Sequence, residues 1–244
     1  MILPNVRASF GRAEAGYVIW LLTRGSESAR ESAEVRLREE GFDAILDDPR
    51  TLNALLAQDS GFSTAPHSIV FYVLVRHALL EHGISDRVLA DYLAALLVNY
   101  AHGKRAYRVE ESDDREYGYL VDLVTAAESA TGHHRFLLHA HLGDFALWLS
   151  GLFPDYITAR VQRRGAPGIQ YYESLGATGY RNAAAARDAA QSGMNQVYSS
   201  CADAFPDLRV ALNTISDRHL FPTRAESIDR LLRQVSDSFN LDND

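Results

Sequence analysis

The most apolar long stretch of this 244-residue sequence runs from His133 to Gly165. Because five of its apolar residues recur at spacings of three and four, they fall on one face of an α-helix. A helix whose other faces are also apolar or small is usually buried in the middle of a protein. We therefore expect a buried central helix at about 133–153. The five recurring residues are Leu138, Leu142, Phe145, Leu149 and Leu152.

Pro154 sets the end of this helix. Proline has no amide hydrogen, and its ring clashes with the preceding helical turn. The helix should therefore stop or kink near Phe153. A second, shorter helix should follow over Asp155–Arg164 and end at Gly165, since glycine readily adopts the conformation that closes a helix.

Three- and four-residue apolar spacing, with proline or glycine at the ends, predicts helices along the rest of the chain. Strand and helix compete in one segment, 66–82, because Ile69–Val75 is rich in β-branched and aromatic residues. The apolar pattern there continues for roughly 17 residues, which exceeds a usual strand, so we predict a helix. The expected fold class is all-α, a single bundle of roughly eight to eleven helices around the central helix.

Length and charge narrow the remaining possibilities. We expect a single domain over residues 1–244, with a possible subdivision at the charged connection 103–116, where a small hairpin is an alternative to a surface loop. The net charge of −8 argues against broad binding to nucleic acid or anionic lipid. The single cysteine, Cys201, suits a reducing compartment. We expect a cytoplasmic protein with no secretory signal and no transmembrane segment.

One motif in the central stretch resembles a known group of sequences. It reads Gly-Asp-x-x-Leu-x-x-Ser-Gly-x-Phe from Gly143 to Phe153 and is followed by two tyrosines, a glycine and a further tyrosine: Tyr171, Tyr172, Gly176 and Tyr180. This pattern is similar to that of an uncharacterised family of bacterial all-helical proteins. The resemblance covers roughly a fifth of the chain and implies a recurrent bacterial domain, but no chemistry.

Four polar residues in and before the central helix have the side chains of a metal site: Glu128, His134, His141 and Asp144. The last three should lie along the edge of the apolar face, since helical residues seven and three apart return to nearby faces. Helical bundles can bring such nitrogen and oxygen ligands around iron or manganese. The paired Glu-x-x-His motifs of di-iron bundles are absent, so histidines bonded to a buried carboxylate are the simpler interpretation. We expect Asp144 to be buried and paired with His141, an arginine or backbone donors. His77, on an apolar helix face, is a further alternative as a haem or metal ligand.

The clearest basic cluster in this acidic chain is Arg160, Arg163 and Arg164, with Arg181 as a possible neighbour. Arginine side chains can hold a phosphate or the carboxylates of a partner. The competing interpretation is that these cations stabilise the C-terminal end of their helix through its dipole.

Three tyrosines form the last candidate group. Tyr171, Tyr172 and Tyr180 lie near two glycines and could wall an aromatic pocket. Close packing of helices over the small residues explains the same pattern, and we favour that explanation.

These candidates leave two hypotheses about function. The sequence contains no nucleotide-binding glycine motif, nucleophile elbow or His-Glu-x-x-His motif, so it does not decide whether the protein is an enzyme. The first hypothesis is a non-enzymatic helical interaction or regulatory protein, without a cofactor, that binds a protein partner or self-associates. The alternative is a metal- or haem-dependent helical-bundle oxidoreductase that uses His134, His141 and Asp144.

Overall fold

The computed structural model describes residues 1–58, 65–101 and 103–221. These residues form thirteen α-helices with short 3-10 segments and one π-helical turn, and they contain no β-strand. The all-α fold is therefore confirmed. The helices outnumber the expected eight to eleven partly because two of them have only five residues, too few to show an apolar repeat.

The chain divides into two compact units. We call Pro4–Val98 the N-terminal unit, and Met1–Leu3 with Asn99–Asp244 the C-terminal unit. The division falls just before the charged connection 103–116. The expectation of a single domain stays a prediction.

The N-terminal unit contains five complete helices and most of a sixth. Asp48 begins α4 by accepting a hydrogen bond from the Arg50 amide at 2.8 Å, and Pro49 is the first helical residue. The competing strand segment is the helix α5, which begins directly after Pro66 as predicted. The helices are α1 (Arg12–Thr23), α2 (Glu27–Glu40), α3 (Phe42–Leu46), α4 (Pro49–Leu56), α5 (His67–Glu81) and α6 (Arg87–Tyr100), the last of which crosses into the C-terminal unit.

The C-terminal unit is built around one long helix. This helix, α8, packs against α7, α10 and α13, and most of its residues from Phe136 onward are buried. The charged connection before α7 contains a 3-10 turn, Gly103–Tyr107, and no strand in its described residues. The remaining helices are α7 (Leu120–Ser129), α8 (Gly132–Leu152), α9 (Pro154–Arg164), α10 (Ile169–Ala184), α11 (Arg187–Gln191), α12 (Asn195–Asp203) and α13 (Phe205–Ile215).

The central helix has the predicted limits. It ends at Leu152, Pro154 is the first residue of α9, and the two helix axes bend by 89°. Of the predicted apolar face, Leu149 is only half-buried and the other four residues are buried. In the described part of the chain, no single helix is long and apolar enough to span a membrane; α8 and α9 reach that length only together, across their bend.

Glycines allow α8 and α10 to pack closely. A Cβ atom on Gly179 of α10 would lie 2.9 Å from both the Gly143 nitrogen and the His139 carbonyl oxygen of α8. A Cβ on Gly143 would lie 2.5 Å from the ring of Tyr180. These distances are shorter than van der Waals contact, so the two helices can approach this closely only without side chains at these positions.

Candidate functional site

Two polar residues of α8 are buried and bonded to tyrosines. His141 Nδ1 lies 3.0 Å from the hydroxyl of Tyr100, at the end of α6. The hydroxyl of Tyr180 on α10 donates to Asp144 Oδ1 at 2.9 Å. Both α8 residues are only 3% exposed. The structure therefore assigns Asp144 a tyrosine partner that we did not include among the expected His141, arginine and backbone donors.

Burial shifts the pKa values of His141 and of its partner Tyr100. Desolvation, with a smaller contribution from the Arg105 guanidinium, lowers the pKa of His141 to about 3, so the imidazole is neutral at pH 7. Burial also raises the pKa of Tyr100 well above its ordinary value, and the nearby Asp144 carboxylate acts in the same direction. Nε2 of His141 is buried without a hydrogen-bond partner among the described residues. A nitrogen that loses its hydrogen bonds to water on folding, without gaining one in the protein, lowers the free energy of unfolding.

The four residues of the predicted metal site do not come together. His134 is exposed because it lies in the first turn of α8, before the buried part of that helix begins. Seven residues of helix rise by about 10 Å, so His134 is far from His141 along the axis. Glu128 is exposed in the last turn of α7. No group of three metal-binding side chains occurs in the described residues, and the cofactor alternative stays a prediction for metal analysis to test.

His77, the other candidate ligand, has a structural partner. Its Nε2 lies 3.0 Å from the carbonyl oxygen of Leu46, and burial lowers the pKa of its imidazole. Since a neutral imidazole can donate from Nε2 to a carbonyl, this contact accounts for a histidine on an otherwise apolar helix face.

A polar network that the sequence did not reveal holds the C-terminal end of α8. Asn213 of α13 donates to the carbonyl oxygens of Ser150 and Gly151 at 2.9 and 2.6 Å. These carbonyls lie near a helix end and need partners from outside the helix. Arg209 connects Asn213 to Glu173 of α10, with bonds of 2.9 and 2.7 Å. The available signal was a pair of polar residues four apart, Arg209 and Asn213, within an apolar helix.

Arginines and tyrosines meet on the surface of the C-terminal unit. Arg160 of α9 places its guanidinium carbon 5.3 Å from the ring centre of Tyr119, which precedes α7. The same carbon is 5.6 Å from the ring centre of Tyr156, one turn earlier on α9. Tyr119 and Tyr156 are 55% and 51% exposed. We call Tyr119, Tyr156, Arg160, Arg163 and Arg164 the arginine–tyrosine surface.

The charges of this surface lack acidic partners in the part of the chain that the structure describes. Within the described residues, none of Arg160, Arg163 and Arg164 forms an ion pair, whereas ten other side-chain cations do. These ten are Arg7, Arg30, Arg36, Arg50, Arg76, Arg87, Lys104, Arg108, Arg209 and, when it is protonated, His133. Arg163 and Arg164 lie in the last turn of α9, where cations also stabilise the helix. Arg181 is exposed on α10, and no described contact joins it to this surface.

The three tyrosines predicted as an aromatic wall divide between two environments. Tyr171 is 37% exposed, whereas Tyr172 is 7% exposed and Tyr180 is fully buried. The ring of Tyr180 stacks on that of Tyr198, with centres 5.8 Å apart. The rings of Tyr171 and Tyr172 contact each other edge to face, with centres 5.9 Å apart, whereas Tyr180 packs against a different helix. The three therefore do not form one wall, and Tyr180 is part of the packed core.

Comparison with protein families, with curated proteins and with solved structures found no match. The resemblance of the Gly143–Phe153 motif to a bacterial family therefore stays a prediction. The motif residues Gly143, Asp144 and Gly151 are buried where α8 meets other helices. Close helix packing and the hydrogen bond between Tyr180 and Asp144 account for their positions.

Proposed function

We propose that this chain is a protein-interaction module that binds an acidic segment of another protein through the arginine–tyrosine surface. The single observation that carries the proposal is Arg160, held against two exposed tyrosine rings and left without an acidic partner in the described residues. Tyrosine and arginine are enriched in the energetically important parts of protein interfaces. Rings that already position a guanidinium reduce the entropy lost when it binds a carboxylate.

The charge of the surface favours an acidic protein segment over other partners. The whole chain has a net charge of −8, which repels every polyanion at long range and most strongly one of high charge density, such as nucleic acid or an anionic membrane. A symmetric pair of identical chains would bring the same arginines together, because a two-fold interface pairs one patch with itself. A short acidic segment of a different protein carries fewer charges than a nucleic acid or a membrane, and at the patch it meets only the arginines.

The experiment measures binding of a defined probe by fluorescence anisotropy. The probe is a labelled ten-residue peptide with six glutamates and two leucines, and its control has glutamines in place of the glutamates. We expect the acidic peptide to bind, and Arg160→Gln with Arg163→Gln and Arg164→Gln to weaken it at least tenfold. Arg187→Gln, an exposed arginine of the same unit, serves as the matched control and should change nothing.

Three results would contradict the proposal. The first is equal binding of the acidic and the neutral peptide. The second is unchanged binding after the triple substitution in protein whose circular dichroism is normal. The third is failure to bind the peptide combined with arginine-dependent binding to phosphatidylserine vesicles or arginine-dependent self-association in sedimentation. In that case the same surface serves a membrane or a second copy of the chain.

The tyrosines provide a second test of the same surface. Arg160→Lys keeps the charge but loses the planar group that packs on the rings of Tyr119 and Tyr156. We expect Arg160→Lys and Tyr156→Ala each to weaken the acidic peptide severalfold without altering thermal unfolding, since Tyr156 is exposed. If both variants bind like the wild type, the rings do not contribute, and the proposed recognition by tyrosine and arginine together is wrong.

A further inference from the structure

The N-terminal unit contains a groove of about 490 Å³ between α1, α2 and α4. This volume is within the range of sites for small molecules. Small side chains of α2 and α4 leave the space open, and Leu22 and Ile45 contribute apolar surface. Ala33, Arg36, Arg50 and Asn53 also line it.

The two charged residues of the lining are both arginines. Arg36 of α2 donates to Asp48 and, through Nε at 2.7 Å, to Glu40. Arg50 of α4 donates to Asp48 through Nη2 at 2.7 Å. Neither Asp48 nor Glu40 is part of the lining. The groove therefore presents two guanidinium groups, each ion-paired on one side with a carboxylate that is not part of the lining.

Both guanidinium groups keep donors for a further partner. Nη2 of Arg36 and Nη1 of Arg50 make no hydrogen bond to any residue that the structure describes. The Arg36 side chain is 29% exposed and that of Arg50 is 71% exposed, so both can reach a bound molecule. Asp48 restricts their geometry, because it holds Arg50 by Nε and Nη2 together.

We infer that this groove binds a small amphiphilic anion, a molecule with an apolar body and one carboxylate or phosphate headgroup. The apolar body lies against Leu22, Ile45 and the alanines. The headgroup accepts hydrogen bonds from Arg36 and Arg50, which suit planar or tetrahedral anions. This site does not depend on the arginine–tyrosine surface, which lies in the other unit.

The test uses decanoate, decyl phosphate and the uncharged decanol as probes, with binding measured by calorimetry. A ligand of this size should bind with a dissociation constant on the order of 1 mM or below. We expect saturable one-to-one binding of at least one of the two anions and at least tenfold weaker binding of decanol. Comparison of decanoate with decyl phosphate then identifies which headgroup the arginines prefer.

Variants of the lining locate the binding. Arg50→Gln should weaken the anion about tenfold and leave decanol unchanged, while Arg38→Gln, exposed on α2 outside the lining, should have no effect. Ala33→Leu should abolish binding by filling the groove. Asn53→Leu, at an exposed lining position, repeats this test if Ala33→Leu fails to fold.

The inference is overturned if neither anion binds saturably, or if decanol binds as well as the anions. It is also overturned if Arg50→Gln and the folded groove-filling variant both bind like the wild type. None of these results bears on acidic-peptide binding, which is measured with a different probe and with variants of α9.

Discussion

Helices α8 and α2 use polar residues in opposite ways. α8 buries 14 of its 21 residues, among them His141, Asp144 and Ser150, whereas none of the 14 residues of α2 is buried. On α2 the charges pair within the helix, as in Arg30 with Glu34 at 2.9 Å. On α8 the buried side chains of His141 and Asp144 are bonded to residues of other helices.

Burial decides whether a polar residue contributes strongly to the stability of the fold. An exposed ion pair gains little because water competes for both partners. A buried polar group that loses its partner remains desolvated and costs much more. Substitutions on α8 should therefore change stability strongly, and substitutions on α2 should not.

Gly179→Ala should lower the free energy of unfolding by about 3 kcal/mol, because the added methyl group would meet the α8 backbone and force the helices apart. The measurement is chemical denaturation followed by circular dichroism. Gly16→Ala is the matched control, since nothing lies within 4 Å of its added Cβ in α1, and it should stabilise by up to about 1 kcal/mol. Equal effects of the two substitutions would show that α8 and α10 are not closely packed.

Asp144→Asn should lower the free energy of unfolding by about 2 kcal/mol, because the amide is a weaker acceptor for the Tyr180 hydroxyl in a buried site. Thermal unfolding measures the effect, with the exposed Asp203→Asn as control. Combining Asp144→Asn with Tyr180→Phe should give less than the sum of the two single effects. Strict additivity would mean that the two side chains do not interact.

His141 should make stability depend on pH. Its pKa is about 3 in the folded protein and about 6.5 when unfolded, so between these values the unfolded chain binds a proton that the folded chain does not. Above pH 6.5 the imidazole is neutral in both states, so His141 does not make stability depend on pH there. As pH falls from 6.5 toward 3, the free energy of unfolding falls by up to about 1.4 kcal/mol per pH unit, because the proton binds only to the unfolded chain.

Unfolding measured from pH 7 to pH 4 checks this dependence. His141→Gln should flatten the slope of stability against pH, whereas His134→Gln, at an exposed position on the same helix, should leave the slope as in the wild type. If the two variants change the slope equally, the imidazole of His141 is not the group whose burial opposes protonation.

Arg30→Gln on α2 should leave the melting temperature unchanged within error. The side chains of Arg30 and Glu34 are 60% and 44% exposed, so water and salt compete for both partners. Differential scanning calorimetry at low and at high salt measures the effect. A clear loss of stability that disappears in salt would show that surface pairs on α2 contribute more than the comparison with α8 allows.

Residues close together in the sequence determined the helices. Pro154 fixed the end of α8 and the bend into α9, because a proline ring cannot continue the preceding helix. Asp48 and Pro49 fixed the start of α4 in the same way. The length of the apolar pattern decided that α5 is a helix although its composition is typical of a strand. Each of these rules depends only on neighbouring residues.

Helical spacing also predicted part of the candidate site. It placed His141 and Asp144 beside the apolar face of α8, and both are buried. The same spacing placed His134 there, yet His134 is exposed. Periodicity gives the direction in which a side chain points from its own helix. It does not show how far along the helix the neighbouring helices extend.

Only the tertiary structure decided which residues meet. Asp144 pairs with Tyr180, 36 residues later, and Asn213 reaches back 63 residues to the carbonyl oxygen of Ser150. Arg160 meets Tyr119 across two helices and the intervening chain. Such pairs depend on the packing of whole helices, which burial of apolar surface drives without specifying individual polar partners. The partners are then selected by which buried groups can satisfy one another in the packed arrangement.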